Sequence, residues 1–142
     1  MTKALRIWAC LYAMSALGTA WAQVAGVDYT SWEGRPARLE IRMTPAAGTA
    51  PGARRPAVVI LHHGGGWDAQ TTRQYAELLA AQGFVTAEPI LFRQRPLPSH
   101  QVVPQVFAAL RHLANLDGVD PARIGIDHDH GSSAISPGAG GV

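Results

Sequence analysis

The chain has 142 residues, with 12 Lys and Arg against 10 Asp and Glu, a net charge of +2. That length excludes a complete (β/α)8 barrel and holds at most one domain. Charged residues are only 15% of the chain. So small and scattered a charge excludes a nucleic-acid surface, which needs clustered Lys and Arg. Lys3 and Arg6 carry the whole excess, because the rest of the chain has 10 Arg, no Lys and 10 acids. Schiff-base chemistry by a lysine is thereby excluded from that part.

Residues 1–22 read as a secretory leader. Lys3 and Arg6 form a short positive start. Ile7 to Leu17 is an uncharged apolar run, and Ala20-Trp21-Ala22 gives a small-x-small site before Gln23. The run is shorter than the roughly 18–20 apolar residues that cross a bilayer. The expectation is a periplasmic or secreted protein with no stable membrane anchor after cleavage. Cys10, the only cysteine, lies in this leader. The mature part therefore has no disulfide, no thiolate nucleophile and no cysteine-based zinc site. Removing the 22 leader residues leaves 120 of the 142, enough to bury a core if the fold is complete at that size.

Residues 23–36 show no clear period and are expected to be an irregular leading segment. Arg38 to Met43 alternates polar and apolar, predicting a half-exposed strand. Thr44 to Pro56, rich in Pro, Gly and Ala, predicts a solvated connection. Ala57 to Leu61 (AVVIL) is a continuous β-branched apolar run, too short for a helix, and predicts a strand buried on both faces. His62, His63, Gly64, Gly65, Gly66 and Trp67 follow. Three glycines directly after a buried strand call for a backbone path that side chains would obstruct.

Thr72 to Gln82 predicts a helix with Tyr75, Leu78, Leu79 and Gln82 at helical spacing, stopped by Gly83. Phe84 to Ala87 predicts a second buried strand. Leu91 to Ser99 is a loop with two prolines. From about Gln101 to Leu116, Val103, Val106, Phe107, Leu110 and Leu113 share one face of a predicted helix, with Pro104 tolerable only in its first turn. Arg123 to Ile126 predicts a third buried strand. Strands alternating with amphipathic helices imply a mostly parallel sheet with helices on both faces. Chemistry in such sheets sits at the carboxyl ends of the strands, which here means His62–Trp67 and Asp127–Gly131.

Three segments in this order resemble the first half of an α/β-hydrolase, most closely the dienelactone hydrolase family. They are Val58 to Trp67 (VVILHHGGGW), Tyr75 to Pro89 (YAELLAAQGFVTAEP) and Gly118 to Ile126 (GVDPARIGI). The resemblance spans roughly residues 37–131. It implies an incomplete α/β-hydrolase fold that ends at the nucleophile elbow, followed by a Gly/Ser/Pro-rich tail over residues 132–142. It also implies a small-molecule ester or lactone as substrate, and no cofactor.

In such enzymes a tetrahedral intermediate carries an oxyanion. Backbone N–H groups aimed at that oxygen stabilise it, and losing one donor costs on the order of 3 kcal/mol. The resemblance assigns that task to Gly64 and Gly65, and to His130 as the residue after the nucleophile. A tight strand-to-helix turn without a ligand is the alternative for the glycines. One of His62 and His63 is expected to anchor the loop rather than act in catalysis.

The elbow departs from its G-x-S-x-G pattern. The chain reads Asp127-His128-Asp129-His130-Gly131, which puts Asp129 at the nucleophile position and Asp127 where the first glycine should stand. An aspartate nucleophile still needs a downstream histidine to activate water, and no His follows Gly131 in this chain. Ser132 and Ser133 are displaced from the elbow and lack that base too. The tail has no apolar period, and Pro137 and Gly138 would stop a helix. A reading-frame shift or gene break near residue 127 would account for both features. The expected function is therefore an exported serine-hydrolase-type protein, truncated or degenerate and inactive as it stands.

Two other readings are kept. Asp127, His128, Asp129 and His130, with His62 and His63 at the neighbouring strand end, offer ligands suited to zinc or copper. Alternating residues on an extended segment point to opposite faces, so at most two of the four could share an ion. The other reading is a non-catalytic binding protein using the strand-end cleft. In every case the last strand is expected to present an unpaired edge that favours a homo-oligomer or aggregate.

Overall fold

The computed structural model describes residues 22–48 and 52–128. Residues 1–21, 49–51 and 129–142 lie outside them. The elements are β1 (Gln23–Thr30), β2 (Pro36–Thr44), β3 (Arg55–Leu61), α1 (Ala69–Ala81), β4 (Val85–Pro89), α2 (Ser99–Ala114) and β5 (Val119–His128).

The five strands form one open sheet in the order β1-β2-β4-β3-β5. β3 pairs in parallel with β4 and β5. β2 pairs antiparallel with both β1 and β4. The sheet is thus mixed, with its parallel part at the β5 side. Each parallel pair is joined through a helix, as a crossover requires.

β1 corrects the irregular segment expected over residues 23–36. Ala25, Val27 and Tyr29 are half-buried and alternate with exposed neighbours. This two-residue period is that of a strand with one wet face. The hairpin to β2 closes through Ser31, whose carbonyl accepts from Gly34 N–H at 2.9 Å and whose N–H donates to Arg35 C=O at 2.8 Å.

Pleating sorts the core onto two faces. Leu39, Ile41, Ala57, Val59, Leu61 and Ala87 turn to one face, where they meet Ala108, Ala109 and Leu113 of α2. The intervening residues Arg42, Ile60, Thr86 and Glu88 are also buried but turn to the other face, the one that α1 covers. β2 is therefore half-exposed only at its start, since Arg42 and Thr44 at its end are as buried as its apolar residues.

α1 begins at Asp68, whose side chain accepts from Gln70 N–H at 2.9 Å. It ends in a Schellman motif. Gly83 has φ +91°, its N–H reaches Ala80 C=O at 3.0 Å, and Phe84 N–H reaches Leu79 C=O at 3.2 Å. The buried stripe is Thr72, Ala76 and Ala80, not the expected Tyr75, Leu78, Leu79 and Gln82. Leu78 and Gln82 are exposed. Small side chains let the helix lie close over the sheet, and larger ones take its flanks.

α2 is likewise rotated from expectation. Gln105, Ala108, Ala109 and Leu113 face inward, whereas Val103 and Phe107 are exposed. Pro104 is the sixth residue of this helix rather than part of its first turn. The carbonyl four residues back, on His100, thereby loses a helical donor. His100 lies on the exposed side of the chain, where water can serve instead. β5 is not a buried strand but the edge of the sheet, with Gly125 and Ile126 exposed.

Candidate active site

The two predicted strand-end segments leave the sheet side by side. Leu61 and His128 are register partners at the carboxyl ends of β3 and β5. The glycine loop, residues 62–67, runs from Leu61 toward the Asp68 cap of α1.

His62 is the anchor. It is 6% exposed. Its Nε2 accepts from Leu91 N–H at 3.2 Å, and its Nδ1 lies 3.1 Å from His63 C=O. Since Leu91 N–H can only donate, Nε2 carries no proton, and Nδ1–H donates to the carbonyl. The ring also packs edge-on against Phe92, with centroids 4.5 Å apart. His62 thus ties the loop to the segment after β4 with both nitrogens used. This leaves it no free nitrogen for general-base work or for a metal.

Gly66 fixes the far side of the loop. Its φ is +103°, and a Cβ there would lie 2.3 Å from the carbonyl oxygen of Arg93. Trp67 N–H donates to Phe92 C=O at 3.0 Å. The Arg93 guanidinium sits 5.5 Å from the Trp67 ring centroid and bonds Glu40 at 2.7 Å. The loop is therefore held against residues 91–93 at three successive points.

Gly64 and Gly65, the two expected oxyanion donors, differ. A Cβ on Gly64 would meet nothing within 4 Å, so this residue borders open space. Gly65 N–H is already donating, to Nδ1 of His63 at 2.9 Å. The exposed His63 ring folds back over this amide. This N–H therefore donates to a side chain of its own loop.

At the end of β5, Asp127 takes the phenolic O–H of Tyr75 on one oxygen. Its other oxygen accepts His128 N–H at 2.8 Å. Tyr75 thereby joins α1 to the strand end, a role that sequence spacing did not reveal. Replacing Tyr75 with phenylalanine is expected to cost about 1.5 kcal/mol, because a hydrogen bond to a charged group is lost. Urea unfolding of the two proteins checks this, and equal midpoints would contradict it.

Asp129 and His130, placed by sequence at the nucleophile and third oxyanion positions, lie outside the described residues, as do Ser132 and Ser133. Among the described residues no group of three or more His, Cys, Asp or Glu is placed to hold a metal ion.

No protein-family model matches the chain, and no curated protein does. Solved structures do. A hypothetical protein, PA2218, from Pseudomonas aeruginosa matches at TM-score 0.59 and 24% identity, over 76% of this chain and 35% of that one. The native Est2 esterase of the planctomycete Thermogutta terrifontis matches at TM-score 0.58 and 23% identity, over 75% of this chain and 39% of that one. A dienelactone hydrolase-like promiscuous phosphotriesterase, P91, from metagenomic libraries matches at TM-score 0.55 and 19% identity, over 75% of this chain and 48% of that one. The chain thus spans between about a third and a half of the length of these proteins. With the strand order and the glycine loop at the carboxyl end of β3, the likeness shows an α/β-hydrolase-like fold over part of this chain.

Proposed function

We propose that the glycine loop is an oxyanion site of hydrolase type, suited to a carboxylic ester or lactone, on an exported chain that does not itself turn such substrates over. The observation that carries the reading is Gly65 N–H, held at the strand end and bonded to an acceptor on its open side. The Nδ1 atom of His63 stands where a carbonyl or carboxylate oxygen would sit. The names of the structural neighbours, an esterase and a dienelactone hydrolase-like enzyme, support the ester or lactone class. The leader reading supports export.

The state of the histidines at the loop supports the absence of turnover. Hydrolysis through a covalent intermediate needs a histidine that can take a proton and pass it on. His62 has both nitrogens engaged, and Nδ1 of His63 accepts from Gly65 N–H. Asp127 is committed to Tyr75.

The experiment is an amide NMR titration with methylphosphonate, a small anion of oxyanion shape. Gly64 and Gly65 resonances are expected to move. In His63→Ala the affinity is expected to rise about fivefold, because the anion no longer displaces a hydrogen bond worth about 1 kcal/mol. Saturating phosphonate that leaves both amides unmoved in both proteins would contradict the oxyanion reading.

A further inference from the structure

We propose that His63 is a proton-operated gate on the anion site of the glycine loop: its neutral ring closes the site and its protonated ring opens it. The gate rests on the oxyanion reading of that loop and adds its regulation, a preference for anionic ligands at mildly acidic pH.

In the closed state Gly65 N–H donates to Nδ1 of His63 at 2.9 Å. An amide N–H can only donate, so Nδ1 holds a lone pair and the ring proton sits on Nε2. The ring lies so close to residue 65 that a Cβ there would fall 2.5 Å from its Cε1. Position 65 is glycine, and the ring takes the space a side chain would fill. An anion approaching this amide meets a donor already in use and a lone pair that repels it.

Protonation reverses both features. Nδ1 then carries a hydrogen and cannot accept, so two N–H groups would point at each other and the ring must leave the amide. The freed Gly65 N–H can bond an oxyanion, and the imidazolium beside it can donate a charge-assisted bond to the same anion. Histidine is the side chain suited to such a change between about pH 5 and 8.

The loop is built so that the ring moves and the backbone does not. His63 C=O accepts from Gly66 N–H at 3.1 Å and from Nδ1–H of His62 at 3.1 Å. Trp67 N–H is held on Phe92 C=O at 3.0 Å. The His63 side chain, by contrast, is exposed, and the neighbouring Gly64 borders open space. Among the described residues its ring has one hydrogen bond, the one to Gly65. Rotation of the side chain therefore uncovers the amide without disturbing the loop.

The neighbouring elements bring further charged and titratable groups to this end of the sheet. They are Asp127 and His128 on β5, Tyr75 and the capping Asp68 on the α1 side, and Arg93 with Glu40 beyond Trp67. Asp127 is bonded to Tyr75, Asp68 to the Gln70 amide and Arg93 to Glu40. On the loop itself, His62 is buried with both nitrogens used. His128 is the other exposed histidine at this end and supplies the control.

The test is an amide NMR titration of the full chain with methanesulfonate, a monoanion of constant charge, at about pH 5.5 and 7.5. The parent is expected to bind about tenfold tighter at the lower pH, since the released hydrogen bond is worth about fivefold and the imidazolium adds the rest. Saturating anion at the higher pH should also move the His63 ring-carbon resonances toward their low-pH positions, because linkage is reciprocal. His63→Ala should bind equally at both pH values, tighter than the parent at the higher and weaker at the lower. His128→Gln should keep the parent's difference. Both substitutions fall at exposed positions. A Gly65 amide that responds to the anion with equal affinity at both pH values in the parent overturns the gate and leaves the oxyanion reading standing. A pH difference that survives in His63→Ala also overturns the gate alone. Binding at neither pH removes the gate and the oxyanion reading together.

Discussion

Glu88→Ala is expected to destabilise the protein by about 3–5 kcal/mol, the usual cost of leaving one half of a buried ion pair behind. Glu88 and Arg42 stand directly opposite each other on β4 and β2. They meet by two bonds, Nε to Oε2 at 2.6 Å and the second guanidinium nitrogen to Oε1 at 2.8 Å. Their side chains are 1% and 9% exposed, so water cannot replace the lost partner. A domain of this size is stable by only about 5–15 kcal/mol, and the single change removes a large part of that. The pair itself is not expected to be indispensable. Arg42→Met with Glu88→Leu deletes both charges at similar volume and should recover most of the loss. Urea unfolding of the two single variants and the double variant checks this. Single variants within about 1 kcal/mol of the parent would contradict the burial described above.

Gly66→Ala is the second large effect, expected at about 3 kcal/mol. The residue needs a positive φ, which costs a side chain about 1–3 kcal/mol. The added Cβ would also fall 2.3 Å from the Arg93 carbonyl oxygen, a backbone atom that cannot swing aside. Loop and Arg93 must separate, which pulls Trp67 N–H from Phe92 C=O. Gly64→Ala is the control, because its Cβ meets nothing and its φ is not positive. It should change stability by less than about 0.5 kcal/mol. Thermal unfolding compares the two, and equal melting temperatures would contradict the assignment of Gly66 as the fixed point of the loop.

The parts of the fold legible in the sequence are those written as continuous patterns. Ala57 to Leu61, Gly83 after its helix and the glycine run each imply one local structure, and each is found in place. The face a helix buries was less legible. In α1 and α2 the inward stripes consist, apart from Leu113, of small or polar residues, namely Thr72, Ala76, Ala80, Gln105, Ala108 and Ala109. A search for large apolar residues therefore picks out the flanks. β1 was missed because Ala25, Val27 and Tyr29 are spaced by Gly26 and Asp28, which both disfavour strands. The Arg42–Glu88 pair was hidden because charged residues are ordinarily read as the wet side of a strand. At the site, the loop and the anchoring role of one of its histidines were legible. The turn of His63 onto Gly65 and the tie from Tyr75 to Asp127 were not, since both join side chains whose meeting depends on tertiary placement.

The glycine loop is proposed as an oxyanion site on a chain that does not hydrolyse esters. Turnover of p-nitrophenyl acetate by the purified 142-residue chain tests it most directly. The account predicts a rate no higher than that of the heat-denatured protein, unchanged by Asp129→Ala. Sustained turnover well above the denatured control, lost in Asp129→Ala, would contradict it.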